Sequence, residues 1–494
     1  MARVENLDRV EGLDRVEGPD RVEELDRVEE LDRVETGGCL ETEPGPPPLR
    51  RGIRTRRPLG ALPDIVPLLY DPKVGILGEI REHDREAGSP EYFRYVTTAG
   101  DTTAFSGHQN FSIGGGGSTS RGIALAKAIG EAIERYAAAV YDRRDYPMVP
   151  YDAAPFDCVA PQDFALFDAA QFDDPDFTYQ PFNGRSDVRW MPAKSLVSGR
   201  IRHVPACFVH LPYLFPRNGD EWPLAQSIST GLACHGSFAQ AALGGICEVV
   251  ERDCFSITWQ AMVSRERIRP ESLAPSHRDA IRRFVAVGYD VHMMNISHDN
   301  RIPTIMTVLR GRRAGNAPLA VAAATDLSPL VAATKSLEEL AHTERYVRQL
   351  MGELGRIEIE PGHRNVYSQV SHVNFWISPE RARHADFLHA SPREIDLADL
   401  PDRTTGDPAG DLDAVVTAIA GTGHDVLIAD LATPDVAALG FHVVRALVPG
   451  YHPLYMGYRL RALGGRRLWT VPQALGHPGI HRSTGDNPMP HPFP

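Results

Sequence analysis

Glu131, Glu134 and Arg135 lie in "AIGEAIERY", and 117 residues later Glu248, Glu251 and Arg252 repeat the same spacing in "GICEVVERD". Residues at i, i+3 and i+4 share one helix face, so each segment presents two carboxylates and a guanidinium together. A charged stripe facing water explains one such trio. Two copies are harder to explain, because each sits on a helix that is apolar on its other sides, and Glu and Arg are rarely buried without partners. If the stripes face each other across a shared polar cavity, four carboxylates can hold hard cations such as Mg²⁺. The two guanidinium groups then suit the anion that those cations escort, such as a nucleoside triphosphate. A purely structural Glu/Arg network would satisfy the same groups.

The elements that must position these residues are visible in outline. "RGIALAKAIGEAIERYAAAVYDRR" has the alanine content and periodicity of a helix and is entered from the glycine-rich "SIGGGGSTS". "SFAQAALGGICEVVERDCFSITWQAM" predicts a second helix with Ser237 at its N-cap. "HRDAIRRFVAVGYDVHMMNI" and "DLDAVVTAIAGTGHDVLIADL" each read helix, glycine stop, strand, and an apolar strand follows each ("PTIMTVLRG", "FHVVRALV"). These units predict an α/β protein, mixed with α+β character and internally duplicated. "SLEELAHTERYVRQLMGEL" adds a further carboxylate-bearing helix.

The chain has 494 residues and a formal charge of −13, of which residues 1–43 supply nine through fifteen Asp/Glu against six Arg. The remainder is nearly balanced and carries no electrostatic footprint for nucleic acid. Residues 7–36 repeat a six-residue unit whose apolar positions recur every three residues, out of step with the 3.6 of an α-helix, so no single face forms. Residues 1–60, ending in "EPGPPPLRRGIRTRR", are expected to be a solvated tail and linker, and 61–494 the folded domain. The six cysteines include no Cys-x-x-Cys pair, no secretion signal is present and no stretch of about 18 apolar residues occurs. A cytoplasmic protein with reduced thiols and no zinc site or membrane span is expected. The histidines, among them His235 and His342, show no ligand spacing and read as structural residues. "SIGGGGSTSRG" lacks the Gly-Lys-Ser/Thr of a P-loop.

The paired Glu-x-x-Glu-Arg helices, the "SISTGLACHGSFAQAALGGICEVVERD" block and the terminal "NPMPHPFP" resemble the YcaO family over residues 65–494. The resemblance implies a YcaO-like fold around an ATP cavity. It implies an ATP- and Mg²⁺-dependent cyclodehydratase that turns Cys, Ser or Thr of a ribosomally made precursor peptide into azolines by phosphorylating an amide oxygen. Carried over by position, Glu131, Glu134, Glu248 and Glu251 are metal-facing carboxylates, and Arg135 and Arg252 meet phosphate or orient those carboxylates. Ser229 and Glu339 approach the nucleotide, with Arg445 a fainter match. The alternating prolines Pro490, Pro492 and Pro494 enter the active site with the chain's own carboxylate. An E1-like, leader-binding partner is implied, and a homodimer is compatible.

Three positions depart from the family pattern. Gly116, Gly117 and Ser118 stand where the family reads Gly-Lys-Gly; Lys127 replaces a Ser and either restores the lost positive charge at the nucleotide site or caps a salt bridge; and Gln240 replaces a Glu. These support one alternative, a non-catalytic scaffold subunit; a further alternative keeps the enzyme but takes its nucleophile from outside the peptide, giving a thioamide. Deleting residues 1–43 should change solubility more than activity, and loss of partner binding by the truncated protein would refute that expectation.

Overall fold

The computed structural model describes residues 59–494 apart from Arg85, Arg217 and Asn218, so the hexad tail, most of the linker and Cys39 lie outside it. Its strands are, in chain order, β1 (Leu77–Glu82), β2 (Phe93–Ala99), β3 (Ile113–Ser118), β4 (Met148–Pro150), β5 (Asp187–Ser195), β6 (Ile201–Pro205), β7 (Leu232–His235), β8 (Arg267–Ile268), β9 (Tyr289–Asn295), β10 (Thr304–Gly311), β11 (Leu319–Thr325), β12 (Glu394–Ile395), β13 (Leu427–Asp430) and β14 (His442–Leu447). They form three sheets, β1-β2-β3, β11-β10-β9-β8-β12 and β4-β5-β13-β14-β7, with β6 on β5. All pairings are antiparallel except the short β8–β12 pair. The duplicated unit is present. Helices Pro275–Ala286 and Pro408–Ala420 each lead into an antiparallel strand pair, β9–β10 and β13–β14, in different sheets.

The three longest helices among the described residues are α1 (Arg121–Ala139), α2 (Phe238–Gln260) and α3 (Pro329–Glu353). Each follows directly on a strand, respectively β3, β7 and β11. Ile129, Ala132, Ile133 and Tyr136 form the buried stripe of α1, and each isoleucine contributes about 1.5–3 kcal/mol by leaving water. α1 stops at Ala139 rather than running to Arg144, because Asp142 caps a separate 3₁₀ turn through the Arg144 N–H. α3 begins two turns earlier than "SLEEL" suggests, with Pro329 in its first turn, where a missing N–H costs nothing.

The glycine run is a strand, not a loop. Gly114 and Gly116 face α1, where an added Cβ would meet the Ala128 carbonyl oxygen at 2.7 Å and the Ala124 carbonyl oxygen at 2.1 Å. Gly115 and Gly117 face α3, and a Cβ on Gly115 would meet the His342 ring at 2.3 Å. Strand alternation therefore places a helix on each side of β3, and only glycine permits both approaches.

Five described cysteines are free thiols, and no helix of the described residues is long and apolar enough to cross a membrane. Gly116→Ala should destabilise the protein by about 1–3 kcal/mol or more, as overpacking against backbone does. Gly122→Ala, at a helical position with open space around it, should stabilise by about 0.5–1 kcal/mol. Urea unfolding of the two variants checks both signs.

Candidate active site

Ser120, Ser237 and Ser328 are the N-cap residues of α1, α2 and α3. Eleven residues beyond each lie Glu131, Glu248 and Glu339; fourteen beyond lie Glu134, Glu251 and His342; seven beyond lie Lys127, Gly244 and Lys335. All nine line a single cavity of about 1930 Å³. The helices are placed cyclically. Glu134 of α1 accepts from the Cys234 N–H of β7 at 2.7 Å, Glu251 of α2 meets the main chain of Thr325 in β11, and His342 of α3 lies on Gly115 of β3. Each helix thus packs on its own strand and sends its +14 residue to the strand of the next unit.

The carboxylates are held but not neutralised. Glu131 accepts from the Gly115 N–H at 2.8 Å and from Arg135 at 3.1 Å. Glu248 accepts from the Gly231 N–H at 3.0 Å and from Arg252 at 3.2 Å, and Arg252 also stands 3.2 Å from Glu251. Burial pushes the Glu134 carboxyl well above its ordinary value, and Glu131 and Glu248 push it further. Burial also raises Glu251, to about 8, against the pull of Arg252. Such a site favours a bound cation, which restores the charged form.

Glu339 differs. Its side chain is open to the cavity, and although partial desolvation there opposes its charge, Lys127 and His342 outweigh that and hold the carboxyl below its ordinary value. Among the described residues only Asp253, Cys254 and His298 bring three ligand atoms within 4.8 Å of one another. The cavity carboxylates are therefore spread more widely, a spacing that suits cations held partly through water and phosphate oxygens. Asp253 is no metal ligand, because Arg467 grips both its oxygens at 2.8 Å.

Buried guanidinium atoms supply the complementary test for an anion. Arg252, which lines the cavity, has its Nε buried without a hydrogen-bond acceptor. A phosphate would satisfy such a donor, so the residues present fit both Mg²⁺ and a nucleotide. The volume exceeds the roughly 300–1,000 Å³ of ordinary small-molecule sites, leaving room for a second reactant.

Of the residues singled out in the sequence, Lys127, Glu131, Glu134, Arg135, Ser229, Glu248, Glu251, Arg252, Glu339 and Pro494 line this cavity. Arg445 of β14 is not on its wall. It donates to the Ile228 carbonyl at 2.7 Å and holds the Ser227–Thr230 wall from behind, and burial pushes it down to about 10. Pro490 and Pro492 are also off the wall, buried along the arm that delivers Phe493 and Pro494.

That arm is clamped to the far half of α2. Asn487 donates to the carbonyls of Gln260 and Trp259, while Trp259 and Trp376 donate to the carbonyls of Met489 and Pro490 at 3.2 and 3.1 Å. His372 and His491 stack with ring centroids 4.1 Å apart. His491 Nε2 donates to the Tyr455 carbonyl and its Nδ1 accepts from the Phe493 N–H; His372 Nδ1 donates to the His491 carbonyl and its Nε2 accepts from the Gly457 N–H. Each ring is thereby fixed in one neutral tautomer. Phe493, 5% exposed, packs 4.4 Å from Phe255 and lies under the Arg252 guanidinium.

The sequence reading missed His342, which it took as structural, along with His235 on the same wall, the buried Glu338, and Asp253. The third helix lacks Glu-x-x-Glu-Arg. The signal that reveals it is the serine eleven residues before Glu339, which matches the other two units.

The model of the YcaO family, described as a YcaO cyclodehydratase that binds ATP and Mg²⁺, matches residues 115–452. The chain belongs to the YcaO family. Both cofactors expected from the sequence are those of the family description. An uncharacterized protein of Methanothermobacter thermautotrophicus is 28% identical over 372 residues, covering 71% of this chain and 86% of that protein. A heterocyclase in complex with substrate and cofactor is similar in structure, with a TM-score of 0.72 at 20% identity over 90% of this chain and 59% of its own. The heterocyclase TruD follows with a TM-score of 0.59 at 22% identity, 75% of this chain and 50% of its own. YcaO from Methanopyrus kandleri, bound with AMPPCP and Mg²⁺, gives 0.55 at 19% identity, 76% of this chain and 86% of its own. The chain thus spans 59% and 50% of the lengths of the two heterocyclases, and the likeness to all three structures is one of fold.

Burial lowers His491 from 6.5 to about 4 and lowers His372 well below its ordinary value. Above pH 6.5 these rings are neutral folded or unfolded and contribute no pH dependence. Between 6.5 and about 4 only the unfolded chain takes up the proton, so His491 alone should cost about 1.4 kcal/mol of stability per pH unit. The melting temperature should fall across that window, and His491→Gln should flatten part of the slope.

Proposed function

We propose that the chain is an ATP- and Mg²⁺-dependent peptide cyclodehydratase. The observation that carries this reading is the convergence, on one cavity, of carboxylates at matching positions of three Ser-capped helices together with the Pro494 arm. In the proposed reaction a Cys thiol or a Ser or Thr hydroxyl of a ribosomally made peptide adds to the preceding carbonyl carbon. The carbonyl oxygen takes the γ-phosphoryl group of ATP. Loss of phosphate and of the amide proton then leaves the C=N bond of an azoline, with ADP as the other product. An amide oxygen is too poor a leaving group without this conversion, and phosphoryl transfer depends on charges held around the moving group. Mg²⁺, held by Glu131, Glu134, Glu248 and Glu251, would offset the developing negative charge on the phosphates.

The chain's own groups have distinct tasks in this scheme. Arg135 and Arg252 orient Glu131, Glu248 and Glu251, and Arg252 also positions the arm through Phe493. Ser229 lines the nucleotide side, where Arg445 braces the loop. Pro490 and Pro492 hold the arm extended at little conformational cost, so that Pro494 meets the substrate. The proposal includes a separate E1-like, leader-binding partner, for which copurification is the test.

Calorimetry should show Mg²⁺-dependent ATP binding by the wild type and its loss in Glu251→Gln. With peptide and partner present, each turnover should remove one water from the peptide. A sulfide-dependent exchange of oxygen for sulfur would instead identify thioamidation, and absence of nucleotide binding would favour the scaffold.

A further inference from the structure

The register shared by the three helices exposes an asymmetry. Seven residues after the cap serines stand Lys127, Gly244 and Lys335, so two of the three equivalent positions carry an ammonium into the cavity that the helix carboxylates also line. The Lys127 Nζ donates to Glu338 at 2.9 Å and to Glu339 at 3.2 Å. Glu339 occupies the position that Glu131 and Glu248 hold in the other two units. Those two each meet an arginine one turn further along their own helix, Arg135 and Arg252. The corresponding residue of α3 is Thr343. The cation for the third carboxylate therefore comes from the neighbouring helix.

Glu338 adds to the demand. It is buried on the same side and also accepts from Ser118 Oγ at 2.5 Å. Two carboxylates side by side, one of them buried, would require a counterion in the absence of Lys127. Lys335 does not supply it, since its ammonium is engaged by Asp326 at 2.7 Å. An ammonium has three N–H donors, and two of those on Lys127 are committed to the Glu338–Glu339 pair. The third has no acceptor among the described residues, and Lys127 lines the cavity.

We infer that Lys127 is a resident cation that takes the place of one divalent metal ion between α1 and α3, and that its third N–H is presented to a phosphate oxygen of the bound nucleotide. This rests on the nucleotide reading only for the phosphate contact. The pairing with Glu338 and Glu339 stands without it. Glu131, Glu134, Glu248 and Glu251 remain for metal, and Glu339 acts as the fixed partner of a tethered charge.

The test counts metal ions directly, with Mn²⁺ as the probe and its free-ion resonance signal as the readout, with and without AMPPCP. Lys127→Ser should bind one more Mn²⁺ than the wild type. Lys127→Arg should keep the wild-type count, and Lys127→Ser combined with Glu339→Gln should return to it. With AMPPCP, the slope of log affinity against log free metal concentration should be steeper by about one in Lys127→Ser, as one additional ion is taken up. Thermal melts with and without Mn²⁺ check folding, and the metal should raise the melting temperature of Lys127→Ser more than that of the wild type.

An unchanged metal count and slope in folded Lys127→Ser would overturn the inference. A gained ion with no AMPPCP binding by either protein would uphold the metal replacement, overturn the phosphate contact and count against the nucleotide reading itself.

Discussion

Like charges gathered out of water constrain much of this structure. Five carboxylates at matching positions of three helices face one cavity, and burial drives Glu134 and Glu251 toward their neutral forms. Holding them there requires fixed donors. The molecule supplies these from the main chain of β3 and β7 and the residue before β7, from Gly115 and Gly231 to carboxylates of the helices they precede and from Cys234 to the neighbouring unit. Donors of that kind exist only if strand and helix lie very close, which is why glycine occupies β3 so densely. The fold and the charge arrangement are consequences of one requirement.

The same requirement explains why the units pack in a cycle. A helix whose carboxylates pointed only at its own strand would leave half of them without main-chain donors. Sending the +14 residue to the next strand spreads the donors around the ring. His342 ends the series, because on α3 the +14 residue meets Gly115 and Gly117 edge-on and an imidazole fills the space that their missing side chains leave. Lys127 closes the same gap electrostatically by reaching across to α3.

Behind the ring, the second half of α2 ties the carboxylates to the C-terminal arm. Glu251 and Arg252 face the cavity, Asp253 turns away to Arg467, and Trp259 and Gln260 hold Asn487 and Met489. For Asp253, burial works against its charge, but Arg467 and His298 outweigh burial and hold the carboxyl well below its ordinary range. One helix therefore carries both cavity-facing groups and the clamp for Pro494, so their relative position is set by helix geometry rather than by loops.

Much of this was legible in the sequence. The i, i+3, i+4 spacing fixes a helix face whatever the fold, so Glu131, Glu134 and Arg135 had to point together, as did Glu248, Glu251 and Arg252. The duplicated helix-strand units and the Ser237 cap followed from local periodicity and capping chemistry. Local pattern could not show that "SIGGGGSTS" is a strand squeezed between two helices, because the reason lies in atoms more than two hundred residues away on α3. Nor could it promote His342 from a bland helix residue to a cavity group, bury Glu338 between Ser118 and Lys127, set Arg445 behind the wall, or turn a proline-rich tail into a buried arm. Spacing along a chain determines which groups share a face. Which faces meet depends on long-range packing, and only the tertiary structure decides that.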